Sequence, residues 1–150
     1  MVVTRRLPSI VLLTMPFYFS FGIVLGIPGP SLEAIRSDFE INYVVGSFVF
    51  LVPAVGYIVG SLVGGPMADR FGRRAILNIS SGMLGGGLTL CGVSPELGVF
   101  VVSALLYGVG FGLMEPALTA IISDVVSDSA GRMLTLAQVP FGIGAMLAPL

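Results

Sequence analysis

Five stretches of this 150-residue chain run for eighteen residues or more with at most one charged side chain, and nothing else restricts its fold so severely. Leu7 to Leu32, Ile41 to Ala68 and Ala75 to Pro95 carry no charge, Leu97 to Ser123 carries only Glu115, and Met133 to Leu150 is again uncharged. A helix rising 1.5 Å per residue needs roughly 20 residues to cross a hydrocarbon layer about 30 Å thick. Each stretch is therefore expected to be a transmembrane helix, the fifth barely long enough. Hydrophobic residues make up 55% of the chain and charged residues 10%, a balance no water-soluble core could bury. Strands are excluded, because an open sheet would leave backbone groups unpaired in lipid and the runs lack the alternation of a membrane barrel.

The arginines set an orientation. Arg5 and Arg6 precede the first span, Arg70, Arg73 and Arg74 lie between the second and third, and Arg132 lies between the fourth and fifth. All six fall on one side, whereas the other side has only Arg36 among Glu33, Asp38, Glu40 and Glu96. Short cytoplasmic loops retain positive charge, so the N-terminus is expected to be cytoplasmic and the chain multi-pass. A signal peptide over residues 1–30 is the rival reading, but the apolar run exceeds the usual h-region.

The first span also belongs to an internal repeat. Gly22, Gly26, Pro30, Leu32, Ala34, Ile35, Ser37 and Asp38 recur as Gly108, Gly112, Pro116, Leu118, Ala120, Ile121, Ser123 and Asp124, at a constant offset of 86 residues. Three spans separate the copies, so the first runs outward and the second inward, the inverted topology from which transporters are built. In each copy the proline ring presses on the carbonyl four residues earlier, Gly26 or Gly112, and both helices are expected to kink there. Gly56, Gly60 and Gly64 form a small-residue stripe suited to close helix packing.

Between the second and third spans stands Gly65-Pro66-Met67-Ala68-Asp69-Arg70-Phe71-Gly72-Arg73-Arg74. It resembles the signature loop of the major facilitator superfamily, Gly-x-x-x-Asp-Arg-x-Gly-x-Arg-Arg. The resemblance implies an all-α membrane protein, a helical bundle with a 3+3 inverted repeat, here truncated after about five transmembrane helices. Residues 1–150 would be the N-terminal portion of the domain, with a C-terminal half missing. It also implies that Gly65, Asp69, Arg70, Gly72, Arg73 and Arg74 form a cytoplasmic gating loop, in which Asp69, Arg70 and Arg73 latch the two halves when that side is closed. The fifth span ends Phe141-Gly142-Ile143-Gly144-Ala145-Met146-Leu147-Ala148-Pro149-Leu150, similar to the Gly-rich fifth helix common in the superfamily.

Glu115 is the one ionisable residue placed well inside a span, roughly 12 Å from the cytoplasmic end of its helix. An acid at depth costs roughly 2.5–3.5 kcal/mol on insertion scales and marks an ion or proton path or a partnered site. Its counterpart in the first copy is Gly29, so the helix geometry does not require a carboxylate there. Hydrogen bonding to a neighbouring helix is the competing reading. Gly110-Phe111-Gly112-Leu113-Met114-Glu115 with Leu134-Thr135-Leu136-Ala137-Gln138 resembles helices four and five of the fucose permease group of proton-coupled sugar symporters. That resemblance implies that Glu115 is protonated during transport and that Gln138 contacts the sugar, the two lining one cavity. The group's helix-one aspartate would fall near Gly26, its second polar helix-five contact at Phe141, and the arginine of proton-driven drug exporters at Ala104. Tyr18, Tyr57 and Tyr107 are further candidates to stack on or hydrogen-bond a sugar.

The expected function is secondary active transport of a small polar solute, such as a sugar, by alternating access with proton coupling, in the plasma membrane (the cell inner membrane). The rivals are drug or metabolite efflux, an uncoupled facilitator, or a truncated membrane protein without transport. With no histidine and one cysteine, Cys91, there is no Ser/His/Asp or Cys/His set and no metal or cofactor motif. The arginines form no basic stripe for nucleic acid.

Overall fold

The computed structural model describes residues 3–125 and 130–149, with side chains described over 12–124 and 131–149. Six helices follow in order: α1 (Val3–Gly26), α2 (Pro28–Asp38), α3 (Tyr43–Phe71), α4 (Arg73–Gly92), α5 (Leu97–Val125) and α6 (Ala130–Leu147). Among the described residues, Tyr43–Phe71, Arg73–Gly92 and Leu97–Asp124 are long and apolar enough to cross a membrane. Leu12–Gly26 and Pro28–Asp38, meeting at 47°, make a fourth when taken as one bent span. The fifth expected span corresponds to α6, which is 18 residues long, holds Arg132 and Gln138, and is not in that set.

Helix ends and charge-free stretches do not coincide, because charge marks the limit of the apolar layer and not of hydrogen bonding. Both α3 and α5 have 29 residues, about 44 Å at 1.5 Å per residue, longer than the hydrocarbon layer. Asn42 caps α3, its side chain accepting from the Val45 amide at 2.9 Å. The C-terminus of α2 closes with Ile41 N–H bonded to the Arg36 carbonyl and Glu40 N–H to that of Ser37, with Glu40 at φ 52°.

The expected pair of kinks resolves asymmetrically. In the first copy the chain breaks at Ile27, between Gly26 and Pro28, whereas α5 runs through Pro116 without interruption. The counterpart of Pro28 is Met114, so the first copy lacks two neighbouring amide donors and the second only one.

The chain forms two compact units, residues 1–32 with 118–150 and residues 33–117. In the first, α1 packs on α6 through glycine: a Cβ on Gly22 would strike the Phe141 carbonyl, and one on Gly144 the Phe19 carbonyl. In the second, α3 packs on α5 in the same way, with Gly108 against the Pro53 carbonyl, Gly56 against Leu105 and Val109, and Gly112 against Tyr57. The three-glycine run at 85–87 meets α5 only through Gly87, beside the Tyr107 amide, while Gly85 and Gly86 face open space. Helix approach this close is the usual route to association where apolar burial is not available as a driving force.

Candidate functional site

The Gly65–Arg74 segment, expected as a loop, is almost entirely helical. Residues through Phe71 complete α3 and Arg73 begins α4, leaving Gly72 as the single connecting residue. Gly72 has φ 86° and ψ 142°, a region that side chains rarely enter, while its amide still bonds to the Ala68 carbonyl at 3.0 Å. Ile76 N–H reaches back to the Gly72 carbonyl at 3.3 Å. Below this joint Ala68, Ile76, Leu113 and Ala117 form a buried cluster. A Cβ on Gly65 would meet nothing, so packing does not require that glycine.

A one-residue joint places the signature charges against both helix dipoles. Asp69 sits in the C-terminal turn of α3, where negative charge is disfavoured, and Arg73 and Arg74 open α4, where positive charge is disfavoured. Asp69, Arg70 and Arg74 are exposed, and Arg70 extends over the Phe71 ring at 5.4 Å.

Glu115 lies on α5, half-buried, next to fully buried Met114. Its Oε2 accepts a short hydrogen bond from the phenolic hydroxyl of Tyr57 on α3. The Tyr57 ring is tilted 39° against Phe111, with centroids 5.2 Å apart. Sequence reasoning named Tyr57 beside Tyr18 and Tyr107 without distinguishing them. Tyr18 is buried in an edge-to-face contact with Phe21 at 5.9 Å, Tyr107 packs beside Gly87, and Tyr57 bonds to Glu115. Gly112, one turn before Glu115, lies against the Tyr57 carbonyl, so the backbone approach fixes the reach of the phenol. Gln138 is exposed on α6 in the other unit.

The one arginine on the acidic side is neutralised locally, a contact the sequence reading missed. Arg36 pairs with Glu33 at 2.7 Å, Tyr43 O–H donates to the same Glu33 oxygen at 3.3 Å, and the guanidinium lies 3.3 Å over the Tyr43 ring. The signal was present in the i,i+3 spacing of Glu33 and Arg36.

Long apolar helices packed through glycine, with one carboxylate held between two of them, define a polytopic α-helical membrane protein. The Major Facilitator Superfamily matches residues 14–150, and the chain belongs to that superfamily. It is similar to human sodium-dependent glucose transporter 1, with 26% identity over 89% of this chain and 26% of the relative. It is also similar to a probable plastidic glucose transporter 2 of Arabidopsis thaliana, with 34% identity over 79% of this chain and 24% of the relative. The 3-(3-hydroxy-phenyl)propionate transporter of Escherichia coli (strain K12) is 30% identical over 85% of this chain and 32% of its own length. The chain thus spans about a quarter to a third of these relatives. No solved structure matches.

Proposed function

We propose that the complete protein is a secondary active transporter that moves a small polar solute by alternating access and couples it to protons through Glu115. The observation that carries this reading is a half-buried carboxylate inside a membrane span of a major facilitator chain, at a position where the repeat has glycine. An ionised acid there is costly and a protonated one is not, so proton binding alters which arrangements of the span are accessible. The solute is a sugar or a hydroxylated aromatic acid, the classes named for the relatives. Gln138 supplies a polar contact to it. Asp69, Arg70 and Arg73 act as the cytoplasmic latch, with Gly72 and Arg74 at the joint that carries them. The N-terminus is cytoplasmic, the membrane is the plasma membrane, and further helices complete the path.

A second reading has sodium as the coupling ion, because three of the glucose-transporting relatives carry "sodium-dependent" in their names. Vesicles made with the protein from its complete reading frame separate the two. Solute addition should drive proton uptake without sodium, and Glu115→Gln should abolish it while leaving solute exchange. Coupled uptake intact in Glu115→Gln would overturn the proton-carrier role, and a strict sodium requirement would favour the second reading.

A further inference from the structure

The glycine contacts of the two units are the same contact made twice. Gly22 meets Phe141 where Gly108 meets Pro53, and Gly26 meets Ala145 where Gly112 meets Tyr57. Gly144 meets Phe19 and Ile23 where Gly56 meets Leu105 and Val109. On α1 and α5 the paired residues are 86 positions apart; on α3 and α6 they are consistently 88 apart. By these two offsets, Tyr57 corresponds to Ala145 and Glu115 to Gly29, so the first copy has neither partner of the hydrogen bond. Helices α1 and α6 nevertheless approach as closely as α3 and α5 at Gly22 and Gly144, and less closely at Gly26. Helix packing therefore does not need the Tyr57–Glu115 bond.

We infer that Tyr57 is a positioning residue whose hydroxyl occupies Glu115 Oε2 and gives way there to a hydroxyl group of the transported solute. This rests on the reading of Glu115 as a transport residue. The chemistry supports the exchange. A carboxylate can only accept, so it recognises hydroxyl donors, and Tyr57 presents one hydroxyl on a ring held by Phe111. A sugar hydroxyl or a solute phenol makes the same kind of bond and can substitute without leaving the carboxylate unsatisfied. Both Tyr57 and Glu115 are partly exposed, so the bond is not sealed within the packed contact. Two consequences follow. Tyr57 competes with the solute and weakens its binding, and a solute without a hydroxyl donor cannot displace it.

The test uses vesicles containing the protein from its complete reading frame, with an aldohexose in one arm and a hydroxylated aromatic acid in the other. Tyr57→Phe keeps the ring against Phe111 and removes only the competing hydroxyl. KM for the transported solute should fall about tenfold, the scale of a hydrogen bond to a charged group, with Vmax within about twofold of wild type. The arm that shows the fall assigns the solute as polyol or phenol. The wild type gives a second readout that needs no variant. In protein carrying ring-labelled tyrosine, solute binding should shift the tyrosine C–O and carboxylate infrared bands together. A KM that stays constant or rises in both arms, or labelled bands that do not move on solute binding, would overturn the exchange. Glu115→Gln with wild-type KM and intact coupling would instead remove the reading on which it rests.

Discussion

Gly112 of α5 lies directly against the main-chain carbonyl of Tyr57 on α3, and the nearest nitrogen, that of Ser61, is 2.8 Å from where a Cβ would be. A side chain at this point cannot be accommodated by a rotamer change, because the obstructing atoms are backbone. Gly112→Leu should separate the helices and cost about 3 kcal/mol or more, the upper part of the usual range for overpacking. Thermal unfolding in detergent checks this, with Gly86→Leu as control, since a Cβ at Gly86 meets nothing.

The joint at Gly72 makes a separate prediction. With φ at 86°, Gly72→Ala places a Cβ in a region nearly reserved for glycine and should lower stability by about 1–3 kcal/mol. Gly65→Ala, in open space and helical conformation, should not lower it. A melting series comparing the two variants distinguishes backbone strain from a general need for glycine in the signature segment.

Asp69 should show opposite effects on stability and on transport. The carboxylate is at the unfavourable end of α3, so Asp69→Asn should leave the helix as stable or slightly more so. If Asp69 belongs to the proposed latch, the same variant should reduce Vmax of uptake about tenfold with KM little changed. Parallel melting and initial-rate measurements on one preparation test this, and equal rates for variant and wild type would remove the latch.

Orientation is testable with single cysteines in a Cys91→Ala background. Arg74 lies in the first turn of α4 and Pro95 in the connection that follows its last turn, and both positions are exposed. A membrane-impermeant maleimide applied to intact cells should label position 95 and should reach position 74 only after permeabilisation.

How much of this was legible beforehand depended on whether the signal lay along one helix or between two. The spans were readable because a charge-free run follows directly from the solvent, and the repeat of α1 in α5 was readable because Gly, Pro and Ser-Asp identities keep one spacing. Its counterpart between α3 and α6 was hidden. At the 88-residue offset, Gly56 matches Gly144 and Leu62 matches Leu150, but Tyr57 faces Ala145 and Pro53 faces Phe141. What is shared there is backbone proximity, which leaves little trace in residue type. The Tyr57–Glu115 bond joins residues 58 positions apart on different helices, and no periodicity announces it. The Gly72 joint was mistaken for a loop because its charges mark a membrane boundary, while its backbone continues hydrogen bonding on both sides.

The doubled glycine contact bears on the origin of the chain. If one ancestral helix triplet was copied, the close approach of glycine to a facing carbonyl is the inherited framework, retained in both copies. The Tyr57–Glu115 pair belongs to one copy only. These two side chains can vary without disturbing the glycine scaffold, which forms in the copy that lacks them.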